Sequence, residues 1–183
     1  GNTPPVVASV EQYDGTSWSE IADLTGATNT HAGCGTTTAA IIYGGSPVNT
    51  ETEAFNGTTW TEVADLATGR AEIGGIGTQT AAVATGGVTY PIASTEIFTV
   101  PTTASVAQEG QVWYNTTSGV LKAYKLTPGT GAWAAGGNLN QQRAQGGAGG
   151  TQSAAILGGG QQYAPGVYYA NTEYYDGTAW TEV

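Results

Sequence analysis

The sequence predicts an all-β protein built from repeated four-stranded antiparallel units, and three observations carry that prediction. The first is self-similarity. Trp18, Trp60 and Trp133 are each followed, in one register, by Leu (Leu24, Leu66, Leu139), Gly-Thr (Gly35-Thr36, Gly77-Thr78, Gly150-Thr151) and Ala-Ala (Ala39-Ala40, Ala81-Ala82, Ala154-Ala155). Ile or Val comes next (Ile41, Val83, Ile156), and a double glycine closes the pattern at Gly44-Gly45, Gly86-Gly87 and Gly159-Gly160. Repetition at a fixed period marks a repeat architecture. The second observation is compositional. The 29 glycines alone would suit a disordered chain, but 5 Trp, 10 Tyr and 2 Phe are interspersed with Val, Ile and Thr, the mixture that favours short strands. The third is that no stretch of twelve residues shows a helical period.

The elements follow in order. Ala8 to Leu24 reads as a half unit at the front, carrying Glu11, Tyr13, Asp14-Gly15 and Trp18. Residues 33–37 and 39–43 suggest two strands joined by a Thr-rich turn, and Gly44-Gly45 ends the second. The segment around Glu53-Ala54-Phe55 supplies a third strand. Asn56-Gly57 is a strong hairpin signal, and the alternation of Thr59 to Val63 supplies the fourth. The same upstream pattern precedes Trp180 as Glu173, Tyr175 and Asp176-Gly177. A further copy begins at Thr95-Glu96-Ile97-Phe98 and is then interrupted, its tryptophan arriving only at Trp133. The chain therefore divides into repeat units over 1–98, an inserted segment over 99–132, and a continuation of the repeat over 133–183. Within the insertion, two alternating arms flank Asn115 to Gly119 and predict a β-hairpin. The tryptophans Trp18, Trp60, Trp133 and Trp180, with the three double glycines, are expected to form the repeat core. Gly1 matches the second glycine of a preceding unit, and Val183 falls inside a strand. The ends are thus expected to be completed by more of the array or by neighbouring copies.

Composition removes several function classes. Only 4 Lys and Arg stand against 14 Asp and Glu, for a formal net charge of −10, which argues against nucleic acid and its need for a basic face. No apolar run approaches the length of a bilayer span, so no membrane insertion is expected. The single Cys excludes an internal disulfide. His31 and Cys34 form His-x-x-Cys, but their counterparts are Ile73 with Ile76 and Gly146 with Gly149, and the third and fourth zinc ligands are missing. The reading is no metal. No His-based nucleophile arrangement is evident, and the carboxylates Glu11, Glu20 and Asp23 recur as Glu53, Glu62 and Asp65, which fits turn bonding or a solvated acidic face better than one active site. The Gly146 to Gly160 stretch lacks the Gly-Lys-Ser/Thr ending of a phosphate loop. No catalytic residue, no cofactor and no enzymatic activity are expected.

Contact residues are sought in loops. Tyr163, Tyr168 and Tyr169 lie in the longest inter-strand loop beside Gln161, Gln162 and Asn171, and Tyr90 occupies the corresponding loop of the preceding copy. These tyrosines suit either stacking on a glycan or packing against a neighbouring subunit. Lys122 and Lys125 make the inserted hairpin the one locally basic patch, suited to an acidic neighbour. Arg70 and Arg143 share one repeat position, where they are expected to bond backbone carbonyls between units. Asn56-Gly57-Thr58 and Asn115-Thr116-Thr117 match the glycosylation acceptor pattern, weakly, because the first also belongs to the repeat turn.

The double glycine, the Phe55-Asn56 pair, Trp60 and Arg70 together resemble the kelch motif, whose units are blades of a β-propeller. The spacing from Tyr13-Asp14 to Trp18 is shorter than that family's, and Thr28 takes the arginine position in the first copy. The wording of the repeat, including Tyr-Asp-Gly-Thr-x-Trp and Gly136 to Arg143, is similar to Gly/Thr-rich virion proteins of tailed, especially marine, bacteriophages. The segment Glu109 to Tyr124 is similar to a hairpin of such structural proteins. The resemblance implies a non-enzymatic structural protein of a tail, fibre or surface appendage, virion-borne or extracellular, whose partners are other virion subunits in a homo- or hetero-oligomer. A glycan-binding adhesion module that reads host surface glycans and a subunit of a non-viral extracellular filament are the alternatives.

Overall fold

The computed structural model describes residues 6–88, 92–100, 112–115, 120–123, 131–162 and 166–183. Every regular element among them is a β-strand. Strands β1 (Glu11–Tyr13) and β2 (Trp18–Glu20) form a two-stranded hairpin. The first four-stranded sheet runs in chain order through β3 (Ala32–Thr36), β4 (Ala39–Tyr43), β5 (Thr52–Phe55) and β6 (Trp60–Glu62). The second sheet takes β7 (Gly74–Thr78), β8 (Ala81–Thr85) and β9 (Thr95–Thr99). The chain then leaves through a separate hairpin, β10 (Val112–Asn115) with β11 (Val120–Ala123), and returns as β12 (Ala132–Ala135), the fourth strand of that second sheet. The insertion therefore lies between the third and fourth strands of one sheet. The third sheet comprises β13 (Gly147–Thr151), β14 (Ala154–Gly158), β17 (Thr172–Tyr175) and β18 (Trp180–Glu182), with the short ribbon β15 (Gln161–Gln162) and β16 (Val167–Tyr168) between its middle strands.

All pairings are antiparallel, and the register repeats. Tyr13, Phe55, Phe98 and Tyr175 each face a tryptophan across the outer strand pair: Trp18, Trp60, Trp133 and Trp180. Their ring centroids lie 5.0–5.2 Å apart in tilted contact, the offset geometry that aromatic pairs prefer. Asp14, Asn56 and Asp176 build the turns between these strands by accepting two backbone amides each at 2.7–2.9 Å, the local bonding that makes Asx residues turn formers. For exposed Asp14 and Asp176 those amides hold the carboxyl below its usual range.

The sheets stack face to face around two cores. One face of β4 sends Ile41 and Tyr43 onto Ala82, Ala84 and Phe98 of the second sheet. Val83 of the second sheet in turn packs with Ala155, Leu157, Tyr175 and Trp180 of the third. The middle sheet is consequently covered on both faces. Each large apolar side chain buried in this way contributes roughly 1.5–3 kcal/mol. The outward face of the third sheet leaves Ile156 and Tyr174 exposed.

The double glycines sit where units cross. Gly45 donates its amide to the Arg70 carbonyl at 2.9 Å, and Gly87 does the same to Arg143 at 2.9 Å. Gly44 and Gly86 adopt φ of 68° and 67°, and a Cβ on either would collide with that arginine's carbonyl oxygen. Only glycine meets both demands at once.

Candidate functional site

The most elaborate polar construction among the described residues is a buried clamp that occurs there twice. Arg70, fully buried, extends from the loop between the first and second sheets. Its guanidinium donates to the carbonyls of Gly86 (3.2 Å) and Ser94 (2.9 Å), to Ser94 Oγ (3.1 Å) and to Glu96 Oε1 (2.7 Å). Glu96 also accepts the amides of Ala67 and Thr68 at 2.7 and 3.2 Å. In the third sheet Arg143 repeats the arrangement with Gly159, Asn171 and Glu173, the ion pair again at 2.7 Å. Glu173 accepts the amides of Asn140 and Gln141. Each carboxylate thus fastens the connecting loop to its sheet, and each arginine gathers carbonyls that would otherwise be buried without donors. Burial pulls the Arg70 guanidinium down and Glu96 opposes that shift. Guanidinium stays charged throughout any ordinary pH. In the first sheet Glu53 takes the same place and accepts the amide of Thr25 at 3.0 Å, while Thr28 stands where the arginine would be.

A second polar link joins successive sheets. Trp133 Nε1 donates to Thr52 Oγ1 at 3.2 Å, and Trp180 Nε1 to Thr95 Oγ1 at 3.1 Å. Gln79 and Gln152, in the turns of the second and third sheets, donate to the Phe55 and Phe98 carbonyls of the sheet before.

The expected site residues fare unequally. Trp180 is 5% exposed, whereas Trp18 is 66% exposed, which corrects its expected core position: no sheet lies against its open face among the described residues. Trp60 and Trp133 are half-buried. Tyr168 stands 80% exposed at the end of β16. Tyr169 is instead half-buried, its ring 5.1 Å from the Arg143 guanidinium carbon and its hydroxyl donating to Gln162 Oε1 at 2.9 Å. The two neighbours therefore do not form one platform, and Asn171 is engaged by Arg143. Lys122 lies on β11 opposite Trp113. Tyr90, Tyr163 and Lys125 lie outside the described residues. Cys34 is half-buried and its thiol donates to the Thr78 carbonyl at 3.6 Å. Burial pushes that thiol up to about 11, against a smaller opposing hydrogen bond to Tyr43. No group of three His, Cys, Asp or Glu side chains suited to a metal occurs among the described residues.

Arg70 and Arg143 bond backbone carbonyls, as their shared position suggested, but within their own sheet, and their pairing with Glu96 and Glu173 escaped the sequence reading. The available signal was the coincidence of a glutamate two residues before each third-strand aromatic with an arginine before the same sheet.

One open cavity adjoins the first hairpin. It measures ≈ 460 Å³ and lies between β1–β2 and the first sheet, with Tyr13, Trp18, Ala40, Phe55 and Trp60 among its walls. Trp60 Nε1 is buried without a hydrogen-bond partner. Its counterparts donate to threonine, but the matching position here is Val10.

No protein-family model matches the chain, and no curated protein shows significant sequence similarity to it. Among the described residues no helix is long and apolar enough to cross a membrane.

Proposed function

We propose that the chain is a non-enzymatic structural and interaction protein of a bacteriophage virion, in a tail, fibre or surface appendage, and that its sheets are kelch-like blades of a β-propeller or part of one. The observation that carries this reading is the repeated junction. Successive sheets are joined by the same tryptophan–threonine bond, the same glutamine–carbonyl bond and the same double-glycine crossing. Such a scaffold extends through identical interfaces, the property that assembly proteins use. The wording of the repeat supplies the virion part of the proposal. Cryo-electron microscopy of purified particles is expected to place the chain at regular, symmetric positions. Recovery of the chain solely as a monodisperse soluble monomer, with no copy on particles, overturns it.

Exposed Tyr168 favours a second reading, recognition of a surface glycan, because an aromatic ring presented to solvent on a rigid β scaffold offers a stacking face. Glycan-array binding that disappears with Tyr168→Ala supports this role, and binding unchanged by the substitution removes the loop from it.

A further inference from the structure

The first sheet carries the acceptors of the arginine clamp without the arginine. In the second sheet the guanidinium meets the Gly86 carbonyl, the carbonyl and hydroxyl of Ser94, and Glu96. In the third it meets the Gly159 carbonyl, the carbonyl and side-chain oxygen of Asn171, and Glu173. The repeat register puts Gly44, Glu51 and Glu53 at these places in the first sheet, and Thr28 at the arginine. The backbone repeats too. Gly44 donates its amide to the Glu51 carbonyl at 2.9 Å, as Gly86 and Gly159 donate to Ser94 and Asn171 at 3.2 Å. All these groups of the first sheet lie on its own strands and loops, within residues 25–53, as each arginine finds its partners within its own unit.

Two differences make this cluster more negative than the other two. Thr28 removes one positive charge, and Glu51, in place of Ser94 or Asn171, adds one negative charge. Glu53 is 4% exposed and accepts the Thr25 amide through both oxygens, at 3.0 and 3.2 Å. Among the described residues no cation pairs with it, whereas Glu96 and Glu173 each meet a guanidinium. A carboxylate withdrawn from water is costly unless a cation meets it. Thr28 Oγ1, one bond beyond the Cβ from which an arginine departs, is buried with no hydrogen-bond partner. Glu51 turns toward the same loop. Its Oε2 lies 3.5 Å from where a Cβ on Gly26 would stand, and Gly26 matches Thr68, whose carbonyl accepts Arg70 Nε. Glu51 is itself exposed, which gives the cluster an entrance from solvent.

We propose that this cluster binds a divalent cation of the calcium type. Its donors are all oxygen: the carboxylates of Glu53 and Glu51, the carbonyls of Gly44 and Glu51, and the Thr28 hydroxyl. Calcium takes about six to eight such ligands in flexible geometry, with water completing the shell, while magnesium demands a stricter octahedron. A dication also offsets the one lost positive and one added negative charge that set this cluster apart. The ion fastens the Thr25–Thr28 loop to the first sheet, as each arginine fastens its own loop. This goes beyond the structural role proposed above and does not depend on it.

The test uses the full chain, stripped with EDTA and titrated with calcium chloride. Isothermal titration calorimetry is expected to show saturable binding of one ion. Tm should rise as calcium is added, and rise less with equal magnesium chloride. Glu51→Gln removes one carboxylate from an exposed side chain and should weaken binding by about tenfold or more. Asp14→Asn, which copies the Asn56-Gly57 turn elsewhere in the chain, should leave binding unchanged. Thr28→Arg supplies the guanidinium directly, so it should raise Tm without calcium and abolish the calcium response. No saturable calcium binding, or binding that Glu51→Gln leaves at full strength, overturns the proposal whether or not Thr28→Arg folds. A calcium response that persists in folded Thr28→Arg overturns it as well.

Discussion

The first hairpin and the outer hairpin of the third sheet are nearly the same sequence. Tyr13-Asp14-Gly15-Thr16-Ser17-Trp18-Ser19-Glu20 corresponds to Tyr175-Asp176-Gly177-Thr178-Ala179-Trp180-Thr181-Glu182. They share register, turn bonding and aromatic contact. Yet Tyr175 and Trp180 are buried while Tyr13 and Trp18 are exposed. The difference arises from what precedes them. The second sheet covers the aromatic pair of the third, and the hairpin has no such cover among the described residues. Local sequence therefore builds the hairpin, and the neighbouring sheet decides whether its tryptophan stabilises anything.

The contrast can be broken most forcefully at the clamp. Glu173→Ala leaves Arg143 buried without its counter-ion and Asn140 and Gln141 without their acceptor, so chemical denaturation should show a loss of about 3–5 kcal/mol. Glu11→Ala, at the matching exposed position, should stay within about 0.5 kcal/mol. Close behind comes the tryptophan pair. Trp180→Ala empties part of a packed core and should cost about 3–5 kcal/mol, against about 0.5 kcal/mol or less for Trp18→Ala. If the two substitutions proved equal, the difference in burial would be wrong.

A subtler exchange sharpens the same comparison. Thr95→Val strands Trp180 Nε1 and should destabilise by about 1–3 kcal/mol, while Val10→Thr supplies the missing acceptor to Trp60 and should gain about 0.5–1.5 kcal/mol. Thermal melts of the two variants, moving in opposite directions, provide the check. The smallest effect is a pH dependence centred on Cys34, whose counterpart in the third sheet is Gly149. Its folded value, about 11, lies above the ordinary 9.0. Its contribution is therefore complete below pH 9.0 and is lost as pH rises toward 11. Buried Tyr43 shifts in the same direction, so the observable is the difference in alkaline slope between the parent and Cys34→Val, which should be shallower.

The strands were legible wherever their signal was local. Alternation around Phe55 and Trp60, the Asn56-Gly57 turn and the Ala-Ala-Ile run before Gly44 place them within a residue or so, β3 beginning at Ala32 rather than at residue 33. The interrupted pattern at Phe98 was also readable, because Trp133 completes the same register that Trp60 and Trp180 display. The candidate contact loop was less so. Tyr168 and Tyr169 are adjacent in sequence, but only the fold aims one at solvent and lays the other on Arg143. Arg143 and Glu173 lie 30 residues apart, and the recurrence of an arginine before a sheet with a glutamate on its third strand marks two positions without saying that they touch.

The sequence by itself determined the all-β character, the strand pairs and the places where glycine is required, because pleat alternation and turn chemistry act over a few residues. Tertiary structure alone decided which tryptophans are buried, which carboxylate meets an arginine, and that Tyr13 and Trp18 line an open cavity beside the first sheet. Those outcomes depend on what lies across an interface, and a repeated sequence reads the same whether or not a neighbour is present.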